Sequence, residues 1–115
     1  MRAWRHVVCA CLGEEQHELG LLGAALRFRH QGYRVTFLGA RTPVDQLARL
    51  SRMLKPDLIA ISMVNTVGAE AQLTDLAAQL PPGIPVVIGG RAAEFLGKQI
   101  KRLKFACAQT NHRVT

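Results

Sequence analysis

Residues 58–90 read LIAISMVNTVGAEAQLTDLAAQLPPGIPVVIGG. This stretch holds two short apolar runs, residues 58–61 and 86–88, whose length and composition favour buried strands. Between them, leucine and alanine recur at helical spacing over residues 73–80, and a proline-rich loop follows at 81–85. A strand, a helix and a second strand in this order predict a parallel pair joined by a right-handed crossover.

The same alternation continues on both sides of this unit. Apolar or alternating runs predict strands at residues 5–12 and 33–38, the second ending at Gly39, and a fifth strand at 105–108. We expect Gly32 to stop the first helix, and Thr42 to cap the second with Pro43 in its first position. The buried stripes expected for the first, second and fourth helices are Leu19, Leu22 and Leu26; Val44, Leu47, Leu50 and Leu54; and Ala93, Leu96, Ile100 and Leu103.

Helices that alternate with apolar strands predict an α/β fold, a doubly wound parallel sheet of the flavodoxin or Rossmann type. Five strands fit the order 2-1-3-4-5, in which the chain switches direction between strands one and three. Ligands bind such sheets at the carboxyl ends of the strands, beside the switch. The loops expected to hold a ligand are therefore residues 13–20, 62–68 and 89–92.

The composition indicates one packed domain. The chain has 115 residues, of which 49% are hydrophobic and 20% charged, so a core forms and disorder is not expected. We expect a single domain over residues 1–115, with its core at about 5–107 and a short polar tail at 109–115. No run approaches the ~18 apolar residues of a membrane span, and we expect a cytoplasmic protein.

The net charge of +7 raises the question of nucleic-acid binding. The basic residues are scattered along the chain, and the one dense group, Lys98, Lys101, Arg102 and Lys104, is typical of a solvated helix face. The sequence has neither zinc-finger spacing nor a cluster of stacking aromatic residues. We therefore expect no direct contact between this domain and nucleic acid.

The three cysteines, Cys9, Cys11 and Cys107, lie in apolar runs. An odd number without C-x-x-C spacing argues against a disulfide framework and against a zinc site. We expect all three to be reduced core residues.

The first loop, residues 13–20 (GEEQHELG), places one imidazole and three carboxylates between two glycines. A neutral His17 at the ligand edge can ligate a metal, and Glu15 can accept the other ring N–H and orient the ring. Gly20 leaves room against the backbone. No cysteine or second histidine at a suitable spacing completes a classical metal site, so a metal on His17 would need most of its ligands from a macrocycle. On the chemistry alone, an ordinary loop histidine is an equal alternative.

The second loop, residues 62–68 (SMVNTVG), and the third, Gly89-Gly90, are weaker signals. Ser62, Asn65 and Thr66 can hydrogen-bond a ligand at a strand end, although Asn65 and Thr66 are also ordinary helix caps. The Gly89-Gly90 pair either lets a ligand approach the backbone or merely forms a tight turn.

Together, the three loops resemble the cobalamin-binding domains of methionine synthase, the carbon-skeleton mutases and cobalamin-dependent MerR-type regulators. The pattern of that family is D-x-H-x-x-G, then S-x-L, then G-G. Here residues 15–20 (EQHELG) are followed by Ser62-Met63-Val64 and Gly89-Gly90, and 41 residues separate Gly20 from Ser62. The resemblance covers residues 5–105 and implies a bound corrinoid, as adenosylcobalamin, methylcobalamin or hydroxocobalamin.

The resemblance implies a role for each matching residue. His17 would be the lower ligand of cobalt, in place of the cofactor's own dimethylbenzimidazole, and Glu15 would take the position of the family's aspartate as the partner of His17. Gly20 would line the channel for the cofactor's nucleotide tail, Ser62 would hydrogen-bond the tail base, and the Gly89-Gly90 pair would pack against the tail. We expect valine at position 20 or 90 to block the tail without loss of the fold. The expected cofactor-binding residues are Glu15, Gln16, His17, Glu18, Leu19, Gly20, Ser62, Met63, Val64, Asn65, Thr66, Gly89, Gly90 and Arg91.

The sequence departs from the family pattern in two places. Glu15 is one methylene longer than aspartate, and with the H-E-L-G that follows at 17–20 it is more similar to the MerR-type regulators than to the enzymes. After the fifth strand the family has one more helix, which residues 109–115 are too short and too polar to form. His6, His30 and His112 match no motif position, and we expect them at the surface or at strand ends.

These features favour a sensory module in transcriptional control, responsive to cobalamin or light, because no catalytic base or nucleophile is evident outside the cofactor loops. Such a module would act through a partner protein, a fused DNA-binding domain or a second copy of itself, and we expect apolar surface for this near Phe105. One alternative is a corrinoid carrier subunit of a mutase or methyltransferase. Another is a degenerate flavodoxin-like interaction domain that binds no corrinoid.

Overall fold

The computed structural model describes residues 5–12 and 18–108 and contains a five-stranded sheet with helices between its strands. All pairings are parallel and the order is β2-β1-β3-β4-β5, which confirms the expected doubly wound topology. No helix in these two segments is long and apolar enough to cross a membrane. The elements are β1 (His6–Leu12), α1 (Leu19–His30), β2 (Arg34–Thr42), α2 (Val44–Leu54), β3 (Leu58–Ser62), α3 (Ala69–Gln79), β4 (Val86–Gly89), α4 (Arg91–Phe95), α5 (Gly97–Arg102) and β5 (Ala106–Cys107).

The two faces of the sheet are buried against different helices. Side chains alternate along each strand, so neighbouring residues of β1 and β3 belong to different hydrophobic clusters. The larger cluster joins one face to α2, α3, α4 and α5, and Leu47 and Leu73 are fully buried in it. The smaller cluster joins the other face to α1 through Leu21 and Ala25. We call this second side of the sheet the α1 face.

Helix α1 buries a different stripe from the one the sequence predicted. Leu19, Leu22 and Leu26 are 83%, 43% and 63% exposed, whereas Leu21 and Ala25 are buried against the sheet. Both sets recur at helical spacing, because apolar residues surround most of this helix. Periodicity alone could not choose between them, and the choice of Leu19, Leu22 and Leu26 was wrong.

The boundary between β2 and α2 also differs from the prediction. Strand β2 continues through Gly39 to Thr42, with register shifts against β1, and Gly39 is buried at φ +79°. Thr42 is not the helix cap: the capping position is Pro43, and the Thr42 hydroxyl donates to the Gly39 carbonyl at 3.3 Å. A glycine inside a strand permits a bulge, and this one lets β2 continue where the sequence predicted its end.

Helix α2 carries most of its predicted stripe. Val44 and Leu47 are buried and Leu50 is half-buried, but Leu54 is 40% exposed. The helix ends at Lys55, which has a left-handed backbone conformation with φ +47°. Leu54 lies in the last turn, beyond the part of the helix that the sheet covers.

The predicted fourth helix is two short helices that meet at Leu96. Leu96 ends α4 and precedes α5, with φ −104°, so the axis breaks there. The predicted stripe is nevertheless buried at Ala93, Leu96 and Ile100, and half-buried at Leu103. The hydrophobic pattern thus identified the buried face correctly and missed only the break.

The region around β5 contradicts one expectation and agrees with another. Cys107 is exposed, so the prediction that all three cysteines lie in the core is wrong for this one, because β5 is a two-residue edge strand. Cys9 and Cys11 are buried as predicted, and burial raises the pKa of the Cys9 thiol to about 11. Phe105 is half-buried and packs against the larger cluster, but Ala106, Cys107 and Ala108 after it are exposed, so small apolar side chains lie at the surface near Phe105, as expected.

His6 lies at a strand end, as expected, but it is buried, with 5% exposure. Its backbone N–H donates to Asp57 Oδ2 at 2.8 Å, and its ring Nε2 lies 2.6 Å from Thr36 Oγ1. The imidazole therefore has a hydrogen-bonded structural position at the start of β1. His30 is exposed at the end of α1, and His112 lies outside the described residues.

Candidate functional site

The carboxyl ends of β1, β3 and β4 place three small residues in one row on the α1 face. Parallel pairing sets Cys11 opposite Ser62 and Ser62 opposite Gly89. Because side chains alternate along a strand and paired residues share a face, this row lies on the same side as Ala60 of the smaller cluster. Cys11 is fully buried and Ser62 is 8% exposed. We call Cys11, Ser62 and Gly89 the small-residue row.

The next row down this face continues the pattern. Cys9 pairs with Ala60, Ala60 with Val87, and Val87 with Ala106. Helix α1 packs on β1, β2 and β3, while Ala106 at the far edge is exposed. Most of the side chains in these two rows of the α1 face are small. We call this strip, which runs from the carboxyl edge of the sheet, the track.

The loop after β3 is fixed to the turn after β4 by two backbone hydrogen bonds. The Met63 N–H donates to the Gly89 carbonyl at 2.9 Å, and the Ala92 N–H donates to the Met63 carbonyl at 2.9 Å. Met63 is 2% exposed and belongs to the larger cluster, so its side chain is structural. Val64 is half-buried beyond it. These bonds hold the two predicted ligand loops side by side.

Asn65 and Thr66 lie exposed in the same loop, and neither caps α3. The capping position is Gly68, at φ +72°, without a side-chain hydrogen bond. The Asn65 side-chain carbonyl accepts the Val67 N–H at 3.0 Å, which shapes the loop locally. The capping alternative for Asn65 and Thr66 is therefore wrong, and Thr66 is left at the exposed carboxyl edge.

Gly90 is required by the fold itself. It has φ +96°, and a Cβ at this position would lie 2.5 Å from the Met63 carbonyl oxygen. The expectation that valine here leaves the fold intact is wrong, because two backbone segments touch where the side chain would be. Arg91, the next residue, begins α4 and is exposed at the same edge.

The other two glycines of the motif have different surroundings. A Cβ at Gly20 would meet no described atom within 4 Å, so this position in the first turn of α1 is open. A Cβ at Gly89 would lie 3.3 Å from the Cβ of Ala108, which leaves little room on that side. Gly20 therefore has the space that a bulky ligand needs, and substitution there is compatible with the fold.

The first loop is described only from Glu18 onward. Glu15, Gln16 and His17, which carry the predicted cobalt ligand and its partner, lie outside the described residues. Glu18 precedes α1, and its carboxylate reaches β2: a Cβ at Gly39 would lie 3.3 Å from Glu18 Oε1. Leu19 is 83% exposed at the start of the helix. Residues 18–20 of the motif thus lie at the start of α1, at the carboxyl edge of the sheet and near the end of β2.

Sequence reasoning missed two members of this region. Cys11 joins Ser62 and Gly89 only through strand register, and Gly39 receives Glu18 only because β2 extends past its predicted end. Within residues 5–12 and 18–108, no group of three or more His, Cys, Asp and Glu side chains could hold a metal ion. A wide groove of about 850 Å³ lies elsewhere, between α3 and α5, and includes Thr74, Phe95 and Gln99.

Comparison with known proteins assigns a family to this arrangement. The family model for the B12 binding domain matches residues 5–110. The chain belongs to this family. It is 52% identical over 92 residues to the HTH-type transcriptional repressor CarH of Myxococcus xanthus, a match that covers 77% of this chain and 31% of CarH. It is 36% identical over 107 residues to the HTH-type transcriptional repressor CarA of the same organism, covering 91% of this chain and 37% of CarA.

A solved structure supports the fold. A cobalamin-binding protein from Desulfitobacterium hafniense DCB-2 superposes with a TM-score of 0.77 at 19% identity, over 93% of this chain and 53% of the other. This B12 binding domain spans about a third of the length of the two curated relatives. The chemistry of its described residues is compatible with a corrinoid tail, because small side chains occupy the ends of β1, β3 and β4 on the α1 face and the Ser62 hydroxyl can bond a polar group there.

Substitution of Gly90 by alanine should destabilise this B12 binding domain more than alanine at an open glycine of similar φ, because a Cβ would meet Met63 and the backbone has φ +96° and ψ 170°, a region that essentially only glycine adopts. Gly83→Ala is the matched control, since Gly83 has φ +89° and a Cβ there would meet no described atom within 4 Å. A left-handed alanine costs roughly 1–2 kcal/mol. In urea unfolding followed by circular dichroism, Gly83→Ala should lose about that much and Gly90→Ala at least ~2 kcal/mol more. Equal losses for the two variants would show that the Met63 contact relaxes freely.

Proposed function

We propose that this domain is the cobalamin-sensing module of a transcriptional regulator and holds the corrinoid base-off, with His17 as the lower ligand of cobalt. The observation that carries the proposal is the 52% identity with CarH over 92 residues. At that identity the similarity extends well beyond the fold. The 19% identity with the solved cobalamin-binding protein supports the fold alone, so regulation is favoured over a carrier role.

The assignment of His17 rests on its place in the chain and on its chemistry. Glu18, the next residue, lies at the carboxyl edge of the sheet against Gly39, and α1 begins at Leu19. A neutral imidazole is a good ligand for cobalt, and Glu15 can accept the second ring N–H. Such a partner fixes the ring and raises its basicity. The two residues thus act as ligand and orienting group.

The tail of the corrinoid is proposed to occupy the track on the α1 face. The small-residue row brings Ser62 to the mouth of this track, where its hydroxyl can bond the tail base, and Gly89 adds no side chain. Gly20 faces open space at the start of α1. A larger side chain at position 20 or at position 62 would therefore narrow the end of the track at the carboxyl edge.

The cofactor would supply a cobalt whose upper ligand can be exchanged, or released by light when that ligand is adenosyl or methyl. The chain's own residues hold the lower side, which leaves the upper side of the corrinoid to be covered by another protein surface. Loss of the upper ligand can shift the preferred assembly only if the two assemblies differ in affinity for the two cofactor states. The domain would therefore act through a fused DNA-binding domain, a partner protein or a second copy.

Removal of the imidazole should remove the nitrogen from cobalt. In electron paramagnetic resonance of the cobalt(II) form, the wild type should show splitting by one axial nitrogen, and His17→Ala should lose it. His30→Ala is the control, because His30 is exposed at the opposite end of α1. Glu15→Gln should keep the splitting and weaken affinity about ten- to a hundredfold, as changes in the partner of a ligand usually do. An unchanged nitrogen signal in His17→Ala would rule out this ligand.

Larger side chains along the track should weaken binding of a corrinoid that has a nucleotide tail more than binding of one that lacks it. Gly20→Val and Ser62→Leu should weaken binding of cobalamin at least about tenfold, a loss of roughly 1.4 kcal/mol. Binding of cobinamide, which lacks the nucleotide tail, should change little. Spectroscopic titration of both corrinoids measures this, and circular dichroism confirms the fold of each variant. Equal weakening for the two corrinoids would show that the tail lies elsewhere.

The sensory role predicts that association follows the state of the cofactor. Light-scattering mass should differ between the apo form, the form loaded in the dark with adenosylcobalamin and the same sample after illumination, alone or mixed with a candidate regulator. The His17→Ala variant should lose this dependence. A constant monomeric mass that ignores cofactor, light and partner would favour the carrier role.

A further inference from the structure

Basic residues that are scattered in the sequence converge at one edge of the folded sheet. In a doubly wound sheet, strand starts and helix ends meet at the edge opposite the carboxyl ends of the strands. Arg5 and Arg34 lie at the starts of β1 and β2, and Lys55 and Lys104 lie three and two residues before β3 and β5. The last turns of α1 and α5 carry further exposed cations, among them Arg29 and Arg102. We call this set the basic edge: Arg5, Arg29, Arg34, Lys55, Arg102 and Lys104.

Backbone contacts show that these positions are neighbours along one line. The Arg34 N–H donates to the Arg5 carbonyl at 2.7 Å, which joins the starts of β2 and β1. The Asp57 N–H donates to the His6 carbonyl at 2.8 Å, which joins the start of β3 to the same edge. Lys104 lies two residues before the edge strand β5 at the other end. Since strands lie about 4.8 Å apart, the basic edge is roughly 19 Å long.

The two edges of the sheet differ in charge. Acidic residues occupy the first turns of α2, α3 and α4, at Asp45, Glu70 and Glu94, and Glu18 precedes α1. Among the described carboxylates, Asp57 is the one at the strand starts, and its Oδ2 accepts the backbone N–H of a buried residue. The basic edge therefore carries a strong excess of positive charge, and it lies opposite the carboxyl edge, where the corrinoid is proposed to bind.

Helix dipoles explain only part of this excess. Arg29 and Arg102 lie in last helical turns, where a cation is favoured by the dipole. Arg5 and Arg34 lie at strand starts and gain nothing from a helix end. Lys55 and Lys104 also interact with helix ends, but each has a positive φ, +47° and +66°, a conformation that glycine adopts with less strain. The cations thus occupy positions that local structure does not require.

We propose that the basic edge binds the phosphate backbone of duplex DNA without reading its sequence. This inference rests on the proposed function in one respect, since a regulator brings the domain close to DNA. A duplex carries one charge per ~1.7 Å of axis when both strands are counted, so a row of this length spans the axial distance of about eleven phosphates, of which only those on the facing side can be contacted. It replaces the expectation of no nucleic-acid contact, because the fold gathers charges that the sequence separates.

The test is the salt dependence of DNA binding by the full chain. Anisotropy of a fluorescent duplex of about 30 base pairs and arbitrary sequence should give micromolar affinity near 50 mM salt, falling steeply by 200 mM. The triple variant Arg5→Gln, Arg34→Gln and Lys104→Gln should bind at least about tenfold more weakly. Its slope of log affinity against log salt should be shallower by up to about three, one for each lost phosphate contact.

The matched control removes the same charge elsewhere. Arg41→Gln, Arg49→Gln and Lys98→Gln change exposed cations outside the basic edge and should leave affinity within about threefold of wild type and the slope nearly unchanged. A second variant at the basic edge, Arg29→Gln with Lys55→Gln, should repeat the effect of the first triple on a smaller scale. Circular dichroism confirms the fold of each variant.

Three results would overturn the proposal. Equal losses in the two triple variants would mean that net charge alone attracts DNA. No binding below about 100 µM at 50 mM salt would mean that the edge does not bind DNA. Binding of polyglutamate as tight as that of DNA, with the same dependence on the basic edge, would point to an acidic protein instead. The cobalamin spectrum of each variant is recorded separately, so loss of corrinoid binding with DNA binding intact would count against the proposed function only.

Discussion

The site depends on one backbone crossing, the contact of Met63 with the turn that follows β4. Met63 gives its N–H to Gly89 and takes the N–H of Ala92 on its carbonyl, both at 2.9 Å. The contact is so close that position 90 has no room for a Cβ. Because the crossing ties the end of β3 to the start of α4, it sets Ser62 beside Gly89 and orients the loop that carries Asn65 and Thr66. Gly89 and Gly90, which look alike in the sequence, thus have different positions in the structure. Gly90 is needed for the contact with Met63, and Gly89 belongs to the small-residue row.

Strand register then brings the small-residue row together. Cys11, Ser62 and Gly89 are neighbours only because three parallel strands end at the same level, and each contributes a side chain no larger than a thiol. On the opposite face of the same strands, Ile61 and Ile88 are buried in the larger cluster. At the carboxyl ends of these strands the sheet therefore has bulky residues on one face and small residues on the other. Burial holds the pKa of Cys9, at the floor of the track, at about 11, so the neutral thiol behaves as a small apolar side chain there.

The sequence predicted the order of the strands because strands and helices alternate without exception, and a buried parallel sheet leaves few topologies for that pattern. It also located the loops after β3 and β4, since they follow from the order, whereas residues 13–17 of the first loop lie outside the described residues. The prediction of the buried stripe of α1 failed, because two sets of apolar residues have the same helical spacing. The prediction of the end of β2 failed, because Gly39 lets the strand continue. The sequence could not separate Gly90 from Gly89, because the difference lies in an interatomic distance to Met63. It could not identify Cys11 as a member of the small-residue row, because the register between two strands cannot be read from either strand alone.

The sheet also separates two surfaces that a sensor would have to connect. β3 has five residues, which corresponds to about 17 Å between the carboxyl edge, where the corrinoid is proposed to bind, and the basic edge. Its central residues, Ile59 to Ile61, are 5% exposed or less, and close-packed strands of this kind do not deform continuously. A change of ligand at one edge is therefore not transmitted to the other edge by deformation of the sheet. The coupling that the proposed function needs must arise outside the sheet, from whatever covers the corrinoid, and it would move the basic edge as part of a rigid body. That requirement favours regulation by assembly over regulation by a change of fold within the domain.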